Sequence, residues 1–97
     1  MALELTSRQR AHLKARAHAL EPIVQIGHSG VQDSVVSAVD TALTAHELIK
    51  VKINDAEREE RVEIADALAE RTGAAIVQRV GKIVVLWRPR PETPAGS

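Results

Sequence analysis

Apolar residues recur at two different spacings along this chain, and the switches between them divide it into seven elements. Thr6, with Gln9 three residues later, forms a capping-box pair and opens a helix over about residues 6–18. Its apolar stripe is narrow, consisting of Leu13, Ala17 and Leu20. Arg8, His12 and Arg16 form a row on one flank, and Arg10, Lys14 and His18 a row on the other. Such a helix docks by a thin seam and presents positive charge on both sides. Pro22–Ile26 is short, rich in β-branched residues and stopped by Gly27, which reads as a strand. After Gly27-His28-Ser29-Gly30, the residues Val31, Val35, Val39 and Leu43 fall opposite Asp33, Ser37, Asp40 and Thr44. That is a helix over about 31–46.

From Leu48 to Ile53 the period drops to two. Ile49, Val51 and Ile53 point one way, and Lys50 and Lys52 the other, giving a strand with one wet, basic face. Asn54 or Asp55 is placed to cap a third helix, which ends at Thr72 before Gly73. Its core face is Val62, Ile64, Ala65, Leu68 and Ala69, and Glu59, Glu63, Asp66 and Glu70 form an acidic stripe on the opposite side. Ala74–Val80 and Lys82–Trp87 read as two strands joined by a hairpin at Gly81-Lys82. The second is apolar almost throughout, which places it centrally in the sheet. The expected fold is α/β: a single compact domain over residues 1–88, with α-β-α-β-α-β-β order. Two β-α-β units with parallel strands and a closing hairpin build a four-stranded mixed sheet, with one face left partly open to water. The tail, 89–97, has three prolines and is expected to be disordered.

Composition narrows the classes of function. The chain has 97 residues, 44% hydrophobic and 27% charged, the balance of one globular domain. No apolar run approaches the roughly 20 residues of a membrane span, and no secretory signal is visible, so a cytoplasmic location is expected. With no cysteine there is no disulfide framework, thiolate metal site or thiol nucleophile. Trp87 is the only aromatic residue, so a base-stacking platform of the kind found in RRM domains is not available. The net charge is zero but unevenly spread: residues 55–72 hold seven acids against three arginines. The rest of the chain is correspondingly basic, which an overall isoelectric point conceals.

The loop Gly27–Gly30 carries the sharpest chemistry. It joins a strand to a helix, and its glycines permit positive φ and close approach of another backbone. The helix start adds unpaired N–H groups and the positive end of the dipole, which suits a phosphate. Neither a P-loop nor a dinucleotide fingerprint is present, the latter because Gln25 stands where a glycine would be needed. Arg8, Arg10, Lys14 and Arg16 on the first helix, Lys50 and Lys52 on the second strand, Lys82 in the hairpin and Arg88 after the last strand could converge around the loop as a polyanion-binding surface.

Catalysis and metal binding find less support. His28 with Asp33 lacks an activated nucleophile, and His12 and His18 lie about 240° apart around a helix, so they share no face. No catalytic residue, metal site or cofactor is expected. The competing class is a protein-interaction module that docks a partner protein through the acidic stripe. Salt dependence separates the two, because binding through phosphates weakens steeply with salt.

The sequence resembles the CRM domain family (chloroplast RNA splicing and ribosome maturation), in particular its small stand-alone bacterial YhbY-type members. The resemblance rests on Arg8–Lys14, Ala17–Val24, Ile26–Val31, His46–Ile53, Thr72–Ala74 and Gly81–Arg88, and covers about residues 3–90. It implies a sheet similar to that of the C-terminal domain of translation initiation factor three, with the last strand antiparallel between its neighbours. It also implies RNA binding, with Gly27, His28, Ser29 and Gly30 acting like the Gly-x-x-Gly loop of KH domains. Support would come from Arg8, Arg10, Lys14, Lys50, Lys52 and Lys82. The implied partner is ribosomal RNA of large-subunit precursors, bound in ribosome assembly; a monomer is expected, and in the competing class the docked protein would be a ribosomal protein or assembly factor. Ser29 departs from the Asn expected in the family's loop.

Overall fold

A computed structural model describes residues 5–27 and 30–89. The element order is α1 (Ser7–Ala17), β1 (Pro22–Ile26), α2 (Asp33–His46), β2 (Leu48–Ile53), α3 (Arg58–Thr72), β3 (Ala75–Val80) and β4 (Ile83–Trp87). This is the α-β-α-β-α-β-β order and four-stranded mixed sheet expected from the sequence. Of the tail expected to be disordered, only Pro89 lies among the described residues.

The sheet order is β1-β2-β4-β3, with β1 parallel to β2 and β4 antiparallel to both its neighbours. Alternation along the strands sorts their side chains into two cores. Ile49, Val51 and Ile53 of β2, with Val84 and Leu86 of β4, pack against Val39 and Leu43 of α2 and Ala65, Leu68 and Ala69 of α3. Leu48, Val77 and Val85 face the other way and pack against Leu13 and Ala17 of α1. Strand β4 is therefore covered on both faces, which explains why nearly every residue in it is apolar. The basic face of β2 is only partly wet, because α1 lies over its Leu48 end. Trp87 is half-buried beside that second core.

Helix boundaries show where local chemistry decides. The capping box of α1 forms in full: Gln9 N–H donates to Thr6 Oγ1 at 3.1 Å, and Thr6 N–H donates to Gln9 Oε1 at 2.9 Å. Gly73 closes α3 in the left-handed region at φ 71°. Two starts differ from expectation. Helix α2 begins at Asp33 rather than residue 31, because Gly30 turns at φ 72° and Gln32 is extended before the helix begins. The N-cap of α3 is Glu57, without a side-chain cap, rather than Asn54 or Asp55. Asn54 is committed to the sheet, its N–H donating to the Ile26 carbonyl at 2.8 Å, and Asp55 turns the chain at φ 55°.

Candidate nucleic-acid interface

Three chain segments meet at one end of the sheet. Ile26, the last residue of β1, is in register with Ile53, the last residue of β2. Ile53 N–H donates to the Lys82 carbonyl at 2.7 Å, which ties the β3–β4 turn to the same end. Gly27 leaves β1 there, and Asn54 Nδ2 donates to Gln25 Oε1 at 3.3 Å just below it. Lys52 lies beside Gln25, and Lys82 occupies the turn itself. Neither lysine side chain has a hydrogen-bond or ion-pair partner among the described residues. Both ammonium groups therefore remain available to an anion.

Gly30 N–H donates to the Gly27 carbonyl at 3.1 Å. That amide is spent, so the anion-binding capacity expected of the loop falls to its remaining groups and the start of α2. Gln32 supplies no side-chain cap there. The first turn also carries Asp33, whose carboxylate is paired with the Arg71 guanidinium at 2.8 Å. His28 and Ser29, both expected in the site, lie outside the described residues. A Cβ placed on Gly27 or Gly30 would meet no atom within 4 Å, so both glycines border open space.

Several of the other expected cations are not brought to this edge. Arg88 is a structural clamp: its guanidinium donates to Asp40 Oδ1 at 2.6 Å, the Thr72 carbonyl at 2.7 Å and Thr44 Oγ1 at 2.9 Å. It follows Trp87, at the end of β4 remote from the hairpin turn, and ties together α2, α3 and the sheet. Arg10 is likewise occupied. Its Nη1 donates to the carbonyls of Ile76 and Val77 at 2.6 and 2.7 Å, at the register shift in edge strand β3. Lys14 lines the same stretch of β3. That edge lies three inter-strand spacings from β1, roughly 14 Å. Lys50 donates to the Leu20 carbonyl at 2.9 Å, which pins the end of the α1–β1 connection to β2. Arg8 is exposed on α1 and Arg16 lines a shallow cleft with Ile23 and Leu48.

The sequence reading overlooked a cationic group beside this end. A cleft between α3 and the hairpin is lined by Arg58, Arg61, Arg79 and Lys82 around Val62 and Ala65. The signal was present, because Arg58, Arg61 and Ala65 stand at helical spacing on one face. It was hidden by the net acidity of the segment that contains it. The acidic residues Glu59, Glu63, Asp66 and Glu70 are all exposed on α3, on the opposite side of the sheet from α1. Among the described residues no three His, Asp or Glu side chains gather as a metal-ligating group. No described helix is long and apolar enough to cross a membrane.

Comparison with known proteins places this geometry in a family. The profile of the CRS1 / YhbY (CRM) domain matches residues 5–88. The chain belongs to the CRS1 / YhbY (CRM) domain family. A Haemophilus influenzae protein named "RNA-binding protein" is 43% identical over 88 residues, spanning 91% of this chain and 89% of its relative. The Bacillus subtilis protein named "Probable RNA-binding protein YqeI" is 36% identical over 88 residues, spanning 91% and 92%. The solution structure of SAV1595 from Staphylococcus aureus, a hypothetical protein put forward as RNA-binding, superposes with a TM-score of 0.81 at 34% identity. That superposition covers 92% of this chain and 93% of the other. The fold that the CRM resemblance implies, and the element order read from the residue pattern, are thus the ones observed.

Proposed function

We propose that this CRM domain binds RNA along its phosphodiester backbone, at the sheet end formed by the Gly27–Gly30 loop, Lys52 and Lys82. The observation that carries the reading is that two lysines without partners among the described residues share one end of the sheet with Gly27 and Gly30, which border open space. The RNA-binding names of similar chains support the ligand class. Lysine ammonium groups act as point charges on phosphates and carry no base specificity. The lone Trp87 is half-buried beside the α1 core, so stacking adds little and RNA shape is the expected determinant. Ribosomal RNA of large-subunit precursors, bound during ribosome assembly, is the target this reading favours. The reading includes no cofactor and no covalent chemistry.

The test has two arms. Crosslinking in cells with mapping of the bound RNA identifies the target, and recovery of large-subunit precursor rRNA is expected. A salt titration of purified protein against that RNA is expected to give a steep log–log slope, close to one power per phosphate neutralised. A shallow slope with no RNA enrichment would instead favour protein docking through the exposed acidic stripe of α3.

A further inference from the structure

The loop edge is not the only cationic surface at this end of the sheet. On the α3 side, Arg58, Arg61, Arg79 and Lys82 line a cleft of about 530 Å³ floored by Val62 and Ala65; among the described residues no acid lines it, and Asp66, paired with Arg79, lies at its border. We propose that this cleft is a second RNA-backbone site, joined to the loop edge through Lys82. A single RNA would then be held on both sides of the hairpin turn. The inference rests on the RNA-binding reading above and extends it to residues that reading does not use.

The chemistry of the lining supports a phosphate ligand. A guanidinium has five N–H donors in a planar fork that matches phosphate oxygens. Arg61 spends Nη1 on the Ala56 carbonyl at 3.0 Å, and Arg79 spends Nη2 on Asp66, so each keeps further donors. The Arg58 side chain has no partner among the described residues. Fixing Arg61 and Arg79 by one bond each lowers the entropy lost when they take a ligand. Val62, 37% exposed, gives the cleft an apolar floor against which a ribose or base can rest. Asp66, partner of Arg79, belongs to the exposed acidic stripe, so the stripe borders the cleft and repels RNA that strays past it. Lys82 belongs to both surfaces, so phosphates bound on either side belong to one continuous track.

Arg58→Glu tests the cleft without threatening the fold. The residue is exposed at the first position of α3, where the helix dipole favours a carboxylate. Fluorescence anisotropy with a fluorescein-labelled stem–loop RNA across a KCl series supplies the readout, and thermal melting by circular dichroism checks the fold. The expected result is weaker binding with a log–log salt slope flatter by about one, at an unchanged melting temperature. Parental affinity and slope in Arg58→Glu, with both reduced in Lys52→Ala, would overturn the cleft and leave the loop edge standing. Loss in Arg58→Glu with none in Lys52→Ala would support the cleft and remove the loop edge from the interface. Binding untouched by either variant would overturn both.

Discussion

Gly27→Asp isolates the electrostatics of the loop from its conformation. Gly27 is exposed, has no left-handed φ, and a Cβ there meets nothing within 4 Å. The folded state therefore accepts the side chain, and the melting temperature should move little. Gly30→Asp would not be as clean, because Gly30 sits at φ 72° and any side chain there costs roughly 1–2 kcal/mol. With its carboxylate ~6 Å from a bound phosphate, Gly27→Asp adds a repulsion of about 0.7 kcal/mol at the dielectric of water and about 2.8 kcal/mol at an effective dielectric of 20. The exposed loop lies between these limits, so RNA affinity should fall by roughly threefold to a hundredfold at low salt. The loss should shrink as KCl is raised and the Debye length contracts. Anisotropy titration with a stem–loop RNA, next to a thermal melt, reads both quantities. A folded Gly27→Asp protein with parental affinity at low salt would show that no phosphate approaches this loop.

Other substitutions separate framework cations from ligand cations. Lys52→Ala should weaken every RNA alike and flatten the salt slope by about one while leaving the melting temperature unchanged. Lys50→Ala should do the reverse, costing about 1 kcal/mol by freeing the Leu20 carbonyl from its bond, with the salt slope retained. Arg88→Ala should cost about 2–4 kcal/mol through its lost charge-assisted bonds to Asp40, Thr72 and Thr44. For a domain this size that is a drop of roughly 8–30 °C in melting temperature, and the remaining folded protein should bind RNA normally. Arg10→Ala should likewise lower stability, by about 1–3 kcal/mol, and leave the RNA salt slope alone, since its guanidinium serves the carbonyls of Ile76 and Val77.

The order of elements was legible because each has one dominant period. The two-residue alternation of β2 and the unbroken apolar run of β4 specify, respectively, a strand with a wetter face and a strand covered on both sides. Helix starts were less legible where a backbone turn competes with a side-chain cap. Asn54 looks like a cap and instead extends the β1–β2 pairing by one residue. For the interface the sequence supplied the right residue types but not their allegiance. Lys50 and Lys52 differ by two positions on one strand face, yet one ammonium holds the Leu20 carbonyl and the other is free among the described residues. Nothing local distinguishes them, since the difference lies in where the α1–β1 connection passes. Arg88 follows the same rule, being recruited by α2 and α3 acceptors distant in the chain.

Zero net charge does not argue against a polyanion partner, because RNA at the sheet end feels only what lies within about a Debye length, ~8 Å at physiological ionic strength. The cations at that end are Lys52 and Lys82, with Arg58 and Arg61 on the α3 side, while the charge of Arg79 is offset by Asp66. Four of the balancing acids, Glu59, Glu63, Asp66 and Glu70, line the outward flank of α3, with Asp66 paired to Arg79. Such an arrangement orients the domain as well as attracting RNA to it. An approaching phosphate backbone is drawn to the hairpin end and turned away from the acidic helix face, so affinity and docking geometry come from the same separation of charge. Making the acidic flank neutral would then raise affinity but loosen orientation. Glu63→Gln with Glu70→Gln should bind a stem–loop RNA more tightly at low salt, while protection of that RNA in hydroxyl-radical footprinting spreads over more positions. Tighter binding with an unchanged footprint would mean that contacts at the hairpin end alone set the pose.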